Sequence, residues 1–271
     1  MALTVRNLGS GSSGNALLVE SDGATVLVDC GVGARALTAG LAAAGRSLRE
    51  LDAVLVSHEH TDHVRSLPNL VRAAVPIATT HGTARAAQVP PHLWEEVRSG
   101  SPLRIGDVTV TPIGVSHDAA EPCGFHLRGA TAAVTVVTDL GCPNDAIAEF
   151  VAASDLIVLE ANHDEQMLRL GPYPVYLKRR VLSDLGHLSN ADCSELLARA
   201  LHRGGPSRSI WLAHLSQTNN RPRLAERAVA QRLAETGIAH AVVALPRHGH
   251  ELVWRSDDTT SITVQMALPL R

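Results

Sequence analysis

The chain has 271 residues, of which 45% are hydrophobic and 19% are charged. This composition is typical of a folded globular protein and leaves little room for disorder, and the length suits a single α/β domain over residues 1–271. A formal net charge of −3 excludes a general attraction to nucleic acid or to anionic membranes, so a polyanion would have to be bound locally.

Hydropathy and cysteine usage bear on the compartment in which the protein works. The amino terminus shows no basic start followed by an apolar stretch, and no apolar run reaches the length of a membrane span. The absence of a CxxC pair argues against a thiolate zinc site and against a disulfide framework. We interpret the four cysteines as reduced thiols that pack as small buried hydrophobic side chains: Cys30, Cys123, Cys142 and Cys193. We therefore expect a soluble, cytoplasmic protein with no membrane partner.

A loop rich in glycine and serine, residues 9–15, joins the first two predicted strands, residues 3–8 and 16–20. Glycine allows positive φ, and serine and asparagine side chains bond to nearby backbone, so the loop suits a hairpin turn. Its amides and hydroxyls equally suit a concavity that binds an anion. Both interpretations stay open, and the second makes substrate-binding candidates of Ser12, Ser13 and Asn15.

Apolar periodicity and the positions of proline and glycine predict the remaining elements. Strands are expected at 25–29, 51–56, 75–79, 108–116, 132–138, 156–159 and 209–213, and helices at 34–45, 67–74, 81–88, 91–98, 143–153, 190–203 and 222–236. The tail, 238–271, alternates in strand-like runs. The order of the elements predicts two halves rich in βα units that face each other. Surface or helix-capping positions are expected for His81 and His92. His248 and His250 could reach a metal, but they precede a strand, so surface positions are expected for them.

The strand at 51–56 leads into Ser57-His58-Glu59-His60-Thr61-Asp62-His63. His58 and His60 lie two residues apart, so in an extended segment they point the same way and can hold one ion. Asp62 and His63 follow and can serve a neighbouring position. Imidazole with carboxylate suits zinc, and it also accepts manganese or iron. A solvated histidine-rich loop is the alternative, but the full pattern after a buried strand favours a metal site.

Four later strands repeat this arrangement, because each ends at a polar side chain that can bind a metal. These side chains are His117 with Asp118, then Asp139, Glu160 and His214. Since the carboxyl ends of parallel strands meet at one edge of a sheet, we expect a single site on one rim. At the end of strand 25–29, Asp29 is expected to support the metal loop from outside, although an ordinary turn carboxylate would look the same.

Residues 162–189 are the least regular part of the chain. Gly171-Pro172-Tyr173-Pro174 rules out one long helix, so we expect a segment that crosses the mouth of the site. His163 lies close to Glu160 in sequence and is expected either to support the site or to orient a loop.

The motif HEHTDH at residues 58–63 resembles the signature of the metallo-β-lactamase superfamily. The resemblance implies an α/β fold that forms a four-layer αββα sandwich with the metal site on one edge. It also implies that one ion takes His58, His60 and His117, that a second takes Asp62, His63 and His214, and that Asp139 bridges them. The strand-end donors agree with this set. Two such ions lower the pKa of a shared water and present hydroxide as the nucleophile, which Asp62 can also orient.

Two later motifs, GHLS at 186–189 and AHLS at 213–216, are similar to those of the phosphodiesterase branch, which includes tRNA 3′-processing enzymes. That similarity implies that His187 contacts the scissile phosphate or protonates the leaving oxygen. An imidazole suits proton transfer near neutral pH. Alternatively, His187 caps the helix that begins near Asn190.

Finer motifs resemble the YycJ-like (WalJ) group over nearly the whole chain: SGSSGN, LEANHD, GPYPVYLKRR, GHLSN and AHLSQTNN. The resemblance implies a 5′-to-3′ exonuclease that acts on single-stranded DNA. Candidate substrate contacts are Asn162 and the basic residues Lys178, Arg179 and Arg180, while Tyr173 and Tyr176 can stack on unpaired bases. The superfamily resemblance also allows a homodimer, although no apolar stripe requires one.

Two other functions compete with the nuclease hypothesis. One is a hydrolase of small molecules, such as cyclic phosphodiesters or thioesters. The other is a binding or regulatory module whose metals are structural, but structural zinc is usually closed at four ligands, and seven donors are available here.

Overall fold

The computed structural model describes residues 2–201, 205–235, 237 and 240–258, and within them two seven-stranded sheets pack against each other. The first sheet has the order β14 (Val253–Arg255), β1 (Thr4–Gly9), β2 (Ala16–Glu20), β3 (Thr25–Val28), β4 (Ala53–Leu55), β5 (Ile77–Thr79) and β6 (Trp94–Glu96). The second has the order β13 (Ala241–Ala244), β12 (Ser209–Ala213), β11 (Leu156–Glu160), β10 (Ala133–Val137), β9 (Cys123–Arg128), β8 (Val108–Gly114) and β7 (Leu103–Ile105).

Helices connect the strands and cover the outer faces of both sheets. In the first half they are α1 (Ala34–Ala43), a 3₁₀ turn at Leu48–Glu50, α2 (Thr61–Val64), α3 (Leu67–Arg72) and α4 (His81–Ala86). In the second half they are α5 (Asp145–Ala152), α6 (Glu165–Leu170), α7 (Val175–Val181), α8 (Asn190–Ala200) and α9 (Pro222–Ala234).

The two sheets share one pattern of strand directions. β3, β4, β5 and β6 run parallel, and the other neighbours in the first sheet are antiparallel. In the second sheet β10, β11, β12 and β13 run parallel, whereas β7, β8, β9 and β10 pair antiparallel. Each half therefore gathers the carboxyl ends of several parallel strands at one edge, which is where open α/β sheets place their ligands.

Apolar side chains fill three layers in the described part of the chain. Val26 and Val28 face the core between the sheets, while Leu27 between them faces the helices of the first half. In the second sheet Val158 faces the same central core, and Ile157 faces the outer helices. Burying such a side chain contributes about 1.5–3 kcal/mol to folding. The predicted αββα sandwich is confirmed.

One predicted helix is wrong. Residues 91–98 form a turn followed by β6, which pairs in parallel with β5 through Ile77 and Trp94. The Trp94 indole N–H donates to the Thr79 carbonyl at 3.0 Å, so pairing with β5 overrides the local helical preference. Strands β7 and β9 were not predicted at all. Parts of the predicted helices, residues 202–203 and 236, lie outside the described residues, as does the tail from 259.

The cysteine prediction holds for three of the four residues. Cys30, Cys123 and Cys193 are buried free thiols, whereas Cys142 is exposed because it lies in the turn that precedes α5. The interpretation of Cys142 as a buried hydrophobic side chain was wrong. No helix in the described ranges is both long enough and apolar enough to span a bilayer.

Candidate metal centre

Three polar residues that follow strands adopt the same unusual backbone conformation. Asp29 after β3, Asp139 after β10 and His214 after β12 have φ values of 57°, 55° and 55°. This left-handed region is uncommon for residues other than glycine, and such residues cluster at functional sites. Each turn places its side chain at the carboxyl edge of its sheet.

The loop from Ser57 to His63 is held by the loop that precedes β2 and by the turn that follows β3. The amide of Asn15 donates to the Asp62 carbonyl at 2.8 Å, and the amide of Cys30 donates to the His63 carbonyl at 2.8 Å. At Gly31 the two segments lie so close that a Cβ atom would overlap the Asp62 carbonyl group. The histidines of the loop are therefore fixed by backbone contacts from outside the motif.

All seven metal donors predicted from the sequence come together. They fall into three groups, within each of which the donor atoms lie no more than 4.8 Å apart: His58, His60 and His117; Asp62, His63 and His214; and His58, His63 and Asp139. A fourth group of the same kind joins Asp139 and His214 to Glu160 and His187. Asp139 lies between the first two, because its carboxylate oxygens are 3.0 Å from His63 Nε2 and 3.8 Å from His117 Nε2.

In several of these imidazole rings, Nδ1 faces away from the cluster and contacts a hydrogen-bond acceptor of the protein. His63 Nδ1 lies 2.8 Å from Asp29 Oδ2, and His117 Nδ1 lies 3.0 Å from the Gly186 carbonyl. Asp29 also accepts hydrogen bonds from the amide and hydroxyl of Ser57. Such contacts orient an imidazole so that Nε2 faces the cluster. The predicted support of the metal loop by Asp29 is confirmed.

The sequence predicts Glu160 only as one of the strand-end residues that can bind a metal, and the structure shows that it contacts two histidines of the site. Its side chain is fully buried, and Oε1 lies 2.8 Å from His214 Nδ1 and 2.9 Å from His187 Nδ1. Oε2 accepts the amides of Leu140 and Leu188. One carboxylate therefore positions a metal donor and the candidate proton donor together. No sequence pattern indicates these contacts, because the two histidines lie 27 and 54 residues from Glu160.

The electrostatics of the cluster suit a bound cation. Burial lowers the pKa of His63, but the carboxylates of Asp29 and Asp139 outweigh burial and raise the pKa to about 10. Burial raises the pKa of Asp139, but the charges of His214 and His63 outweigh it and hold the pKa well below its usual value. The cluster thus favours positive charge, and a metal supplies that charge while the imidazoles become neutral.

A second observation supports binding of divalent cations by these residues. His58 Nε2 is buried and has no hydrogen-bond partner among the described residues, although a buried polar atom normally has one. It lies in a group of three imidazoles, and imidazole is a preferred ligand of zinc and similar metals. The donor set therefore supports the use of divalent metal.

The candidate substrate contacts near the cluster divide into free and bonded groups. Ser12 is exposed, and Ser13 Oγ is buried without a partner in the described structure. Asn15 is buried, accepts the Gly11 amide through Oδ1 and donates to the Asp62 carbonyl. Asn162 is also buried and donates to the His214 carbonyl at 2.9 Å. The two asparagines thus support the loops that carry metal donors.

The basic residues lie on α7, close to the mouth of the site. Arg180 forms two contacts with the Asp118 carboxylate, at 2.5 and 3.1 Å, and Asp118 Oδ1 lies 3.3 Å from His117 Nε2. Lys178 Nζ donates to the Arg169 carbonyl at 2.7 Å, and Arg179 is exposed. The pairing of Arg180 with Asp118 next to a metal donor was not foreseen.

His187 does not cap α8, because the Ser189 hydroxyl accepts the Asp192 amide and forms the cap. The histidine lies at the edge of the cluster, and 17% of its side chain is exposed. Burial lowers its pKa, but the Glu160 carboxylate outweighs burial and raises the pKa. His163 is buried, and neither ring nitrogen has a partner in the described part of the chain. His248 is exposed, as expected.

The chain is similar to known proteins over most of its length. Residues 24–215 match the family model described as the beta-lactamase superfamily domain. The chain is 35% identical to the exodeoxyribonuclease WalJ of Streptococcus pneumoniae over 243 residues, which cover 87% of this chain and 90% of that protein. It is 35% identical to the exodeoxyribonuclease YycJ of Bacillus anthracis over 246 residues, which cover 88% and 91%. Its fold is similar to that of the metallo-beta-lactamase fold protein YhfI from Bacillus subtilis, with a TM-score of 0.69, 18% identity and coverage of 94% and 99%. The chain therefore belongs to the metallo-β-lactamase superfamily and, within it, to the family of the WalJ and YycJ exodeoxyribonucleases.

Proposed function

We propose that this protein is a metal-dependent phosphodiesterase that removes nucleotides from single-stranded DNA in the 5′-to-3′ direction. The observation that carries the proposal is the contact of His187 Nδ1 with Glu160 Oε1 at 2.9 Å, at the edge of a cluster of seven metal donors. The names of the relatives as exodeoxyribonucleases support DNA as the substrate. A DNA substrate is also the reason for placing the protein in the cytoplasm.

We assign one ion to His58, His60 and His117 and a second to Asp62, His63 and His214, with Asp139 between them. Zinc suits these donors best, and manganese and iron are the alternatives. The chemistry that two such ions supply when bound is activation of water and stabilisation of charge on the phosphate oxygens. Asp62 Oδ2 lies 3.2 Å from His214 Nε2, so its carboxylate is at the second group of donors, where it can also orient the attacking water.

His187 protonates the oxygen of the leaving nucleotide. Because Nδ1 faces Glu160, Nε2 is the nitrogen that remains for the substrate, and the carboxylate favours the protonated ring. A positioned proton donor contributes about 10²- to 10⁴-fold to such a reaction. Glu160 acts through His187 and is a positioning residue.

The single strand lies along α7. Tyr176 is 74% exposed, and a base can stack on its ring in water. Arg179 on the same helix is free to contact a phosphate, whereas Arg180 is held by Asp118. Replacing Lys178, Arg179 and Arg180 with alanine should reduce the dependence of DNA affinity on salt, and Arg179 should account for most of the change.

The test follows nucleotide release from end-labelled oligonucleotides that differ in sugar and in terminal phosphate, with protein of measured metal content. Single-stranded DNA should be shortened from its 5′ end, and chelator or Asp62→Ala should abolish release. His187→Ala should slow release about 10²- to 10⁴-fold while the metal content stays unchanged. Glu160→Gln should slow it in the same direction.

Two results would contradict the proposal. Metal-loaded protein that leaves every DNA and RNA oligonucleotide intact would exclude a nuclease. Turnover of a small chromogenic phosphodiester that oligonucleotides do not inhibit would instead favour a hydrolase of small molecules.

A further inference from the structure

A cleft of about 630 Å³ lies beside the metal centre and is not used by the mechanism above. Its volume falls in the range of sites that hold a small molecule or one nucleotide. Ser10 and Leu215 form the wall nearest the metal donors, and Arg221, Leu245, Pro246 and Arg247 line the rest together with neighbouring residues.

The cleft shares residues with the metal centre. The Ser10 hydroxyl accepts the amide of His214 at 2.8 Å, and Leu215 directly follows that histidine. A group bound in the cleft therefore lies close to the metal donors, and a short length of substrate can join the two places.

The charge of the cleft is positive. Its lining contains Arg221, Arg247 and His248 and no carboxylate, and neither arginine forms an ion pair with any described residue. Arg247 is partly buried, and burial lowers its pKa. A partly buried cation without a counter-charge is costly unless an anion is bound beside it.

Both guanidinium groups are already oriented. Arg247 Nη2 donates to the Leu215 carbonyl at 2.6 Å, and Arg221 Nη1 donates to the carbonyls of Gln217 and Asn220 at 3.1 and 2.6 Å. A Cβ atom at Gly11 would lie 3.1 Å from Arg247 Nη1, so the glycine leaves room for the guanidinium against the loop. Groups fixed in advance lose little entropy when they bind a ligand.

The start of α9 adds to this field. Arg221 is its N-cap residue, no side chain caps the helix, and the first turn of this 13-residue helix has no acidic residue. Its positive end is therefore not neutralised within the helix. Leu215, Leu245 and Pro246 supply an apolar wall on which a sugar or base can lie.

We propose that this cleft binds one nucleotide of the substrate, with its phosphate held by the guanidinium groups of Arg221 and Arg247. The base and sugar lie against the apolar wall. The inference rests on the proposed function, since it extends the substrate path beyond the scissile phosphate. The bound phosphate belongs either to the 5′ terminus or to the chain next to the cleaved linkage.

The experiment measures binding of short single-stranded DNA with phosphorothioate linkages to the metal-loaded protein, by fluorescence anisotropy at several salt concentrations. The oligonucleotides carry either a 5′-phosphate or a 5′-hydroxyl. The variants are Arg221→Gln, Arg247→Gln and the double variant. Arg223→Gln is the matched control, because it removes the same charge from an exposed position in α9 that does not line the cleft. Thermal unfolding checks that each variant is folded, and Arg221→Gln changes only an exposed side chain.

The double variant should bind at least about 10-fold more weakly than the parent. Its slope of log affinity against log salt should fall by about 0.7, because the two guanidinium groups hold one phosphate and each neutralised phosphate of a single strand contributes about 0.7. A loss confined to the phosphorylated oligonucleotide assigns the cleft to the terminal phosphate, and an equal loss for both assigns it to an internal one. Affinities and slopes equal to those of the parent and of Arg223→Gln would overturn the proposal. Failure of the proposed function would be seen instead as no nucleotide release by the parent, which these binding constants do not depend on.

Discussion

At the scale of single residues, two buried carboxylates decide how the imidazoles of the metal centre are oriented. Asp29 contacts His63 and Ser57, and Glu160 contacts His214 and His187. Neither acid belongs to the seven predicted donors. Residues of this kind are typically needed for full metal affinity even though they touch no metal.

Asp29→Asn should lower metal affinity about 10- to 100-fold, because both carboxylate oxygens accept hydrogen bonds, Oδ1 from the Ser57 amide and Oδ2 from the Ser57 hydroxyl and the His63 ring, and an amide has only one acceptor oxygen. Asparagine tolerates the left-handed backbone at this position, whereas Asp29→Ala adds backbone strain and should also lower the melting temperature. Competition with a chromogenic chelator measures the affinity. Asp52→Asn, which alters a carboxylate that accepts the Thr25 amide, is the control. Equal affinity in Asp29→Asn and parent would refute this role.

His126 makes stability depend on pH at a place away from the metal centre. The ring is buried against Thr135 and Phe150, and burial, with a smaller effect of Arg128, lowers its pKa from 6.5 to about 4. Between these values the unfolded chain takes up a proton that the folded protein does not. The neutral buried ring of His126 therefore costs the folded protein no stability above about pH 6.5, and stability is lost as the pH falls towards 4.

Lowering the pH from 7 to 5 should cost the parent about 2 kcal/mol more stability than His126→Gln, because glutamine keeps a polar side chain but does not titrate. Urea unfolding at the two pH values measures the difference. The metal centre is the same in both proteins, so comparing the two isolates position 126. An equal loss in both would show that His126 does not cause the dependence.

The convergence of His117, Asp139 and His214 could be predicted because strands that run in the same direction end at one edge of a sheet. The same rule also selects Asp118 and Glu160, so the assignment of the seven donors depended on the family resemblance. Contacts between distant residues could not be predicted in this way. The sequence does not show that Arg180 meets Asp118, 62 residues away, or that Glu160 joins two histidines.

At the scale of elements, the turn between β3 and α1 fixes the position of the metal loop. Gly31 lies against the backbone of Asp62 and His63, and its amide donates to the Asn15 carbonyl at 2.9 Å. Gly33, two residues later, has no atom within 4 Å of where a Cβ would lie. Gly31 and Gly33 are thus a matched pair for testing whether the close contact between this turn and the metal loop matters.

Gly31→Ala should displace the metal loop. It should lower the metal content and reduce the free energy of unfolding by about 1–3 kcal/mol, the range expected for overpacking. Gly33→Ala should change both quantities little. Elemental analysis and thermal unfolding of the two variants provide the measurement. Similar behaviour of the two would mean that the metal loop can shift without loss.

Elements were predicted where the chain's own periodicity dominates and were missed where a neighbour decides. The buried runs of β4, β10 and β12 are apolar on both faces and were located from sequence. β6 is an edge strand in which only Trp94 is partly buried, and its sequence shows no alternation of apolar and polar residues. Its strand conformation depends on β5.

At the scale of the whole molecule, the metal donors connect the two halves. His58, His60, Asp62 and His63 come from the first sheet, whereas His117, Asp139 and His214 come from the second. Bound cations therefore link two layers that otherwise meet through apolar packing. The superfamily resemblance made this convergence predictable. The single domain over residues 1–271 remains a prediction that limited proteolysis tests, and sedimentation tests the homodimer that the resemblance allows.

Removing the metal should destabilise the whole protein and not only abolish activity. A ligand that binds the folded state alone and is present at about 100 times its dissociation constant stabilises by about 2.7 kcal/mol, which corresponds to about 5–10 °C in a protein of this size. Calorimetry before and after dialysis against chelator measures the shift, and chelator already saturated with calcium is the control. Readdition of zinc or manganese should restore both the melting temperature and nucleotide release. A melting temperature that does not change after elemental analysis has shown the metal to be gone would mean that the two halves hold together without it, and that the donors serve chemistry alone.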